Sequence, residues 1–323
     1  MTEVPEGGLY RPRALTQRIV YVDGISRAGK SLISPVLGSL EGIEISRWEN
    51  IFEYVGALHA MGKIDRFAAI SLIRQQADEF LYNGYIGRNI NFRRGDASSV
   101  LRNPGVLKHF TRLFRSYGDD AVSEILDKKP IFQNVTHEQM PFIDLHFDAW
   151  PTELRVLEIR RNPVDLIHSW WRRGWGIRFG VDPMDFTLCL RSGDKSVPYY
   201  ARNWTREFLD MSPMDRIVRL IHELTFDGRK AYGALCTERK DRVFVLRFDD
   251  FITAPRDLLA DISTFIDAPM TRQTTKAVKA SRCPRPIDLN RREDMFRQIG
   301  AEASAASLGL IDELRAEIES DWT

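Results

Sequence analysis

The chain has 323 residues, 43% of them hydrophobic, and 46 basic against 45 acidic side chains leave a formal net charge of +1. Such a chain buries a large core, and its near-neutral balance excludes the basic excess of a general nucleic-acid binder, leaving small anions held locally as the expected partners. Cys189, Cys236 and Cys283 are odd in number and lack C-x-x-C spacing, which points away from a disulfide framework or a zinc site and toward a reducing cytoplasm.

The N-terminal stretch Met1 to Gly8 has no basic region followed by an apolar run, and no apolar segment is long enough for a bilayer, so a soluble protein without a membrane partner is expected. Short apolar runs alternate with amphipathic stretches, the pattern of a parallel sheet covered by helices. Strands are predicted near 18–23, 43–46, 130–135, 154–159 and 242–247. The first runs into Gly24-Ile25-Ser26-Arg27-Ala28-Gly29-Lys30-Ser31, which satisfies the G-x4-G-K-S spacing of a P-loop. The glycines allow tight turns, successive N–H groups point inward, and the following helix start adds its positive dipole end, which together make an anion cradle.

Between the second and third strands, Ile51, Val55 and Leu58, then Phe67, Ile70, Ile73, Ala77 and Phe80, keep helical spacing. A helical insertion over about 50–129 is predicted there, too long for a simple crossover. The third strand leads into Asn134-Val135-Thr136-His137, and the fourth into Arg160-Arg161-Asn162-Pro163-Val164-Asp165 with Ser169 two turns into the next helix. Asn162 is a helix cap and Pro163 suits the first helical turn, so Arg161 falls at the carboxyl edge of the sheet, where open α/β folds bind ligands. Trp170, Trp171 and Trp175, interleaved with Arg172, Arg173 and Arg178, line a ligand pocket or form helix-packing surface. A late stripe of Leu310, Ile311, Leu314 and Ile318 is a packing face. With no repeat or low-complexity linker, residues 1–323 are expected to form one domain with a helical elaboration.

A glycine-rich anion loop after the first strand, followed far downstream by strand-R-N-P-x-D-x3-S, resembles the sulfotransferases that use 3′-phosphoadenosine 5′-phosphosulfate (PAPS). A third segment, Val243 to Phe251 followed by Ala254-Pro255 and an amphipathic helix, is similar to that family's late strand and turn. The resemblance implies a P-loop three-layer α/β sandwich with a central parallel sheet and sulfuryl transfer to a hydroxyl or amine of a small-molecule or carbohydrate acceptor, with no metal required. It further implies that Ser26, Arg27, Ala28, Gly29, Lys30 and Ser31 hold the 5′-phosphosulfate, that Arg27 meets the bridging oxygen, and that Arg161 and Ser169 hold the 3′-phosphate. Basic residues near the C-terminus close the 3′-phosphate site in the family, and Arg282, Arg285, Arg291 and Arg292 are available for that.

Lys30 departs from the Thr or Ser that many family members carry, so either Arg27 or Lys30 takes the leaving-group role. The complete G-x4-G-K-S pattern also suits an ATP-dependent small-molecule kinase, with Lys30 on the β/γ-phosphates, Ser31 on Mg2+ and Asp249 as the strand-end carboxylate. A nucleotide-binding regulator without turnover is the alternative from another class. An acceptor hydroxyl needs a base, and two residues follow strands: His137 resembles the Thr-His of cytosolic sulfotransferases, and Glu49 sits where carbohydrate-modifying members place a catalytic glutamate. His137 is preferred because an ordinary imidazole already titrates near working pH. Arg88, Arg93 and Arg94 are read as an exposed arginine loop or as a contact for an anionic acceptor.

Overall fold

A computed structural model describes residues 4–320 and 322, apart from 97, 103, 104, 115 and 116; the first three residues of the N-terminal stretch lie outside the described residues. Along β1 (Arg18–Asp23), Ile19 and Tyr21 enter one hydrophobic cluster and Val20 and Val22 another, the period-two alternation of a strand buried on both faces. It pairs in parallel with β2 (Ile131–Val135) on one side and β3 (Leu154–Arg160) on the other.

From β1 the chain enters α1 (Lys30–Leu37), then α2 (Ile51–Ala60), α3 (Arg66–Tyr85), α4 (Val106–Arg112) and α5 (Asp119–Lys128) before β2. Of these, α2 to α5 lie between residues 50 and 129. α6 (Ile143–Ala149) joins β2 to β3, and α7 (Pro163–Trp171) and α8 (Trp175–Arg178) follow. A short antiparallel hairpin of β4 (Cys189–Ser192) and β5 (Lys195–Pro198) precedes α9 (Thr205–Asp210), α10 (Pro213–Ala234) and α11 (Thr237–Lys240). After β6 (Val243–Arg247) come α12 (Phe248–Thr253), α13 (Pro255–Ile266), α14 (Arg272–Ala280), α15 (Leu289–Glu302) and α16 (Ala305–Glu319). The main sheet has the order β2-β1-β3-β6, all parallel, with helices on both faces. The fold is the predicted α/β sandwich with a central parallel sheet.

One predicted strand is corrected. Residues 43–47, which include the predicted 43–46, run beside β2 but make only isolated bridges, Ile43 to Ile131 and Arg47 to Asn134. The second bridge is out of register with the first by one residue, so this segment carries an extra residue against β2 and the ladder breaks. Inside the break, the buried Glu44 takes a two-pronged ion pair from Arg112 at 2.5 and 2.8 Å, which binds the insertion to the sheet edge. The β4–β5 hairpin was not anticipated; its residues alternate too briefly to mark a strand pair.

The order of strands places a crevice at the carboxyl ends of β1 and β3, because the chain leaves β1 toward β2 and returns past it. Gly24 has φ 129° and lies so close to β3 that a Cβ there would sit 2.3 Å from the Ile159 carbonyl oxygen. Gly29, with φ 114°, packs under Phe248, whose ring a Cβ would meet at 2.2 Å. Both positions therefore demand glycine. The predicted stripe on α16 packs as expected through the buried Ile311 and Leu314. At the end of β3, Arg160 donates to the carbonyls of Glu317 and Ser320 and stacks on Trp322 at 5.1 Å, fastening the last helix to the sheet. Among the described residues no helix is long and apolar enough to cross a membrane.

Candidate active site

The loop after β1 adopts left-handed backbone at Gly24, Arg27 (φ 76°) and Gly29. Among the described residues, the N–H groups of Gly29, Lys30 and Ser31 find no acceptor in the chain, and no side chain caps α1. An open row of donors at a helix start is the physical requirement for binding an anion. Ala28 is buried, and Arg27 and Ser31 are exposed. Lys30 is buried, with its ammonium folded back onto the carbonyls of Gly24 and, at 3.2 Å, Ile25. Burial lowers its pKa, opposed by the charges of Glu138, Asp23, Glu53 and Glu158.

The distant R-N-P block reaches this loop. Arg27 Nε donates to Ser169 Oγ at 3.1 Å, and Arg161 Nη1 donates to the Arg27 carbonyl at 2.7 Å. Asn162 caps α7 through its side chain, which receives the Val164 N–H at 3.1 Å, so helix start and cation emerge together from β3. Arg161 lies over the Phe248 ring at 4.9 Å. Burial lowers the pKa of both Arg27 and Arg161; Arg173 is the next cause at Arg27, whereas Asp165 opposes the fall at Arg161. Of the C-terminal arginines, Arg292 joins the cluster, donating to Asp165 at 2.8 Å and Asp249 at 2.9 Å. Arg285 adds its charge nearby. Asp249 is thus held by Arg292, while the carboxylates facing Lys30 are the four named above.

The two candidate bases diverge. Thr136 donates to Asp23 at 2.9 Å, and Asp23 also accepts the N–H groups of Gln139 (3.1 Å) and Met140 (2.8 Å), which pins the turn carrying His137 over the end of β1. Glu53, one helical turn beyond Glu49, points inward from α2. Its Oε1 accepts the His137 backbone N–H at 2.5 Å and lies 3.1 Å from His137 Nδ1. An oxygen already accepting one N–H is assigned here as acceptor of the second, so Nδ1 carries the proton and Nε2 keeps a free lone pair. Burial pushes His137 down to about 4, with the Lys30 charge adding to the fall. Burial likewise raises Glu53 to about 8, against the opposing backbone hydrogen bond.

His137, Glu53, Ser26 and Glu138 share one cleft of about 290 Å3 with Tyr54, Trp170, Trp175, Phe179 and Tyr200. The Trp170 indole donates to the Ser26 carbonyl at 2.9 Å while its ring packs in the core, so this tryptophan is both packing residue and cleft wall. Tyr54 donates to the Phe186 carbonyl, and Met184, Asp185, Phe186 and Thr187 line the same cleft. Glu49 lines a different hollow, beside Phe80 and Asn89, and is paired with Arg47 at 3.0 Å. Arg88 and Arg94 are exposed, and Arg93 pairs with Asp96 at 3.7 Å.

Sequence reasoning missed Glu53 and Glu138. Glu53 had a signal, being an acid among the buried positions Phe52, Val55, Gly56 and Ala57 of α2. Glu138 had none, since only the folded turn brings its carboxylate to the Ser26 N–H at 2.5 Å.

No protein-family model matches the chain, and no curated protein matches it. Among solved structures it is similar to the sulfotransferase domain from the Synechococcus PCC 7002 olefin synthase, at 12% identity over 96% of this chain and 98% of that one, with a TM-score of 0.47. It is also similar to the sulfotransferase domain from the curacin biosynthetic pathway, at 10% identity over 80% and 77% and a TM-score of 0.43. A sulfotransferase from Alicyclobacillus acidocaldarius matches at 13% identity over 92% and 95%, with a TM-score of 0.38.

Proposed function

We propose that this chain is a sulfotransferase that moves a sulfuryl group from PAPS to a hydroxyl or amine of a small-molecule or carbohydrate acceptor. The observation that carries the reading is the junction of Arg27, Ser169 and Arg161 at the carboxyl edge of the sheet, which joins two segments more than a hundred residues apart. A loop with open N–H groups suits the 5′-phosphosulfate, and Arg161 with Ser169 suits a second phosphate. Both anions of one donor are thereby accommodated, which a single-anion ligand does not require.

In the reaction, the acceptor oxygen forms a bond to sulfur as the bond from sulfur to the bridging oxygen breaks, and adenosine 3′,5′-bisphosphate departs. Negative charge gathers on that departing oxygen, and fixed cations with backbone donors stabilise it. Arg27 and Lys30 are the cations at hand. The acceptor proton goes to His137 Nε2, whose ring is oriented by Glu53 at Nδ1.

The test is calorimetric binding of adenosine 3′,5′-bisphosphate and AMP. The bisphosphate is expected to bind at least tenfold more tightly, since charge-assisted hydrogen bonds contribute about 1.5–3 kcal/mol each. Arg161→Ala should remove most of that preference. Equal affinity of the intact protein for the two nucleotides overturns the proposal.

A further inference from the structure

The cradle is engaged from within. Glu138 is buried on the cleft that also holds Ser26 and His137, and its Oε1 accepts the Ser26 N–H. Its backbone has φ 53°, a left-handed conformation that a glutamate adopts only where the surroundings hold it. The surroundings here are the Asp23 carboxylate, which fixes the next two residues, and the Gly24 carbonyl, which accepts the Glu138 N–H at 3.4 Å. Lys30 is the cation closest in effect to this carboxyl group. One N–H cannot donate fully to Glu138 and to an incoming anion, so any anion that uses Ser26 must displace the carboxylate.

We propose that Glu138 is a built-in competitor for the anion cradle and thereby a specificity-determining residue. It weakens every ligand that uses the Ser26 N–H, so that only a ligand with a second anchor at Arg161 and Ser169 binds at working concentration. Singly anchored anions such as inorganic pyrophosphate stay below that threshold. Burial raises the carboxyl's pKa while Lys30 opposes the rise, consistent with a group held in place rather than solvated. The inference rests on the reading of this loop as the donor's anion site.

The experiment compares the intact protein with Glu138→Gln, which removes the charge, and Glu138→Gly, which removes the whole group and suits the left-handed backbone. Circular dichroism checks that each is folded, and the glycine variant carries the test if the glutamine variant is not. Calorimetry then measures three probes: inorganic pyrophosphate, adenosine 3′,5′-bisphosphate and adenosine 3′-monophosphate. The first two should tighten by about tenfold, the equivalent of one hydrogen bond to a charged group released from competition. The 3′-monophosphate, whose one phosphate belongs at Arg161 and Ser169, should be unchanged. Unaltered pyrophosphate affinity in the folded variants overturns the inference, as does equal tightening of the 3′-monophosphate, which would mark a general loosening. If pyrophosphate tightens but the intact protein does not prefer the bisphosphate to AMP, the competitor stands and the PAPS reading falls. If no probe binds any of the proteins, both fall.

Discussion

Replacing Glu53 by Gln should move activity and stability in opposite directions. The side chain is buried, and its pKa is raised from 4.5 to about 8. Between those values the folded protein keeps a proton on Glu53 that the unfolded chain has released, so stability falls as pH rises through this window and levels off above about 8. At about 1.4 kcal/mol for each tenfold change in proton affinity, the whole window is of order 5 kcal/mol, and the part from pH 6.5 to 8 is about 2 kcal/mol. His137, held down to about 4, costs stability only as pH drops below 6.5, so measurements above that value leave it out of the slope. Glu138 and Glu158 are also raised by burial and contribute to the slopes of both proteins, which makes the difference between the two the quantity of interest. Urea unfolding at pH 6.5, 7.5 and 8.5 should show the native protein losing about 2 kcal/mol more than Glu53→Gln. Turnover should behave in reverse. Ionised Glu53 strengthens His137 as a base, so the rate should rise toward a plateau near pH 8, and Glu53→Gln should lack that rise and turn over roughly 100-fold more slowly. Parallel stability slopes, or a variant with an undiminished rate and the same pH profile, refute the dyad.

Replacing Arg27 or Lys30 by Ala should slow turnover by roughly 100-fold or more at whichever cation meets the leaving oxygen, with activity persisting in EDTA; loss on chelation with recovery on adding Mg2+ would favour the kinase alternative. His137→Ala should cost roughly 100-fold in turnover with affinity for adenosine 3′,5′-bisphosphate retained, whereas Glu49→Gln, lining a separate hollow, should leave turnover within about threefold; the opposite ranking reassigns the base. Arg112→Ala should destabilise the fold by about 3–5 kcal/mol in urea, because it strands the buried Glu44 charge, and Arg112→Met with Glu44→Leu should restore much of that loss.

The features legible in the sequence are those written in neighbouring residues. Alternation in β1, the glycines of its loop, the Asn162-Pro163 helix start and the helical spacing of the insertion each follow from local geometry, and the structure places them at the expected positions. The strand expected at 43–46 failed because register is a relation between two segments, and the extra residue opposite β2 is invisible in either one alone. Glu53 and Glu138 were missed for a related reason. Their roles depend on His137 and Ser26, 84 and 112 residues away, so no spacing within a helix or turn could disclose them. Glu49 attracted the reading by its place after a strand, yet the turn of α2 that follows directs Glu53, not Glu49, toward the imidazole.

The fastening of Arg160 to Glu317 and Ser320 bears on how the molecule reaches its native state. The strand that ends in Arg160 is secured by contacts spanning 157 and 160 residues, and the next residue, Arg161, meets Arg27 across another 134. Closing such large loops costs conformational entropy before any compensating contact forms, so these side-chain contacts are expected to form late in folding, after the sheet that positions them. A two-anion ligand that grips both Arg27 and Arg161 then has nothing to hold in the transition state. It should slow unfolding while leaving the refolding rate almost untouched, prolonging the lifetime of the folded molecule without hastening its birth.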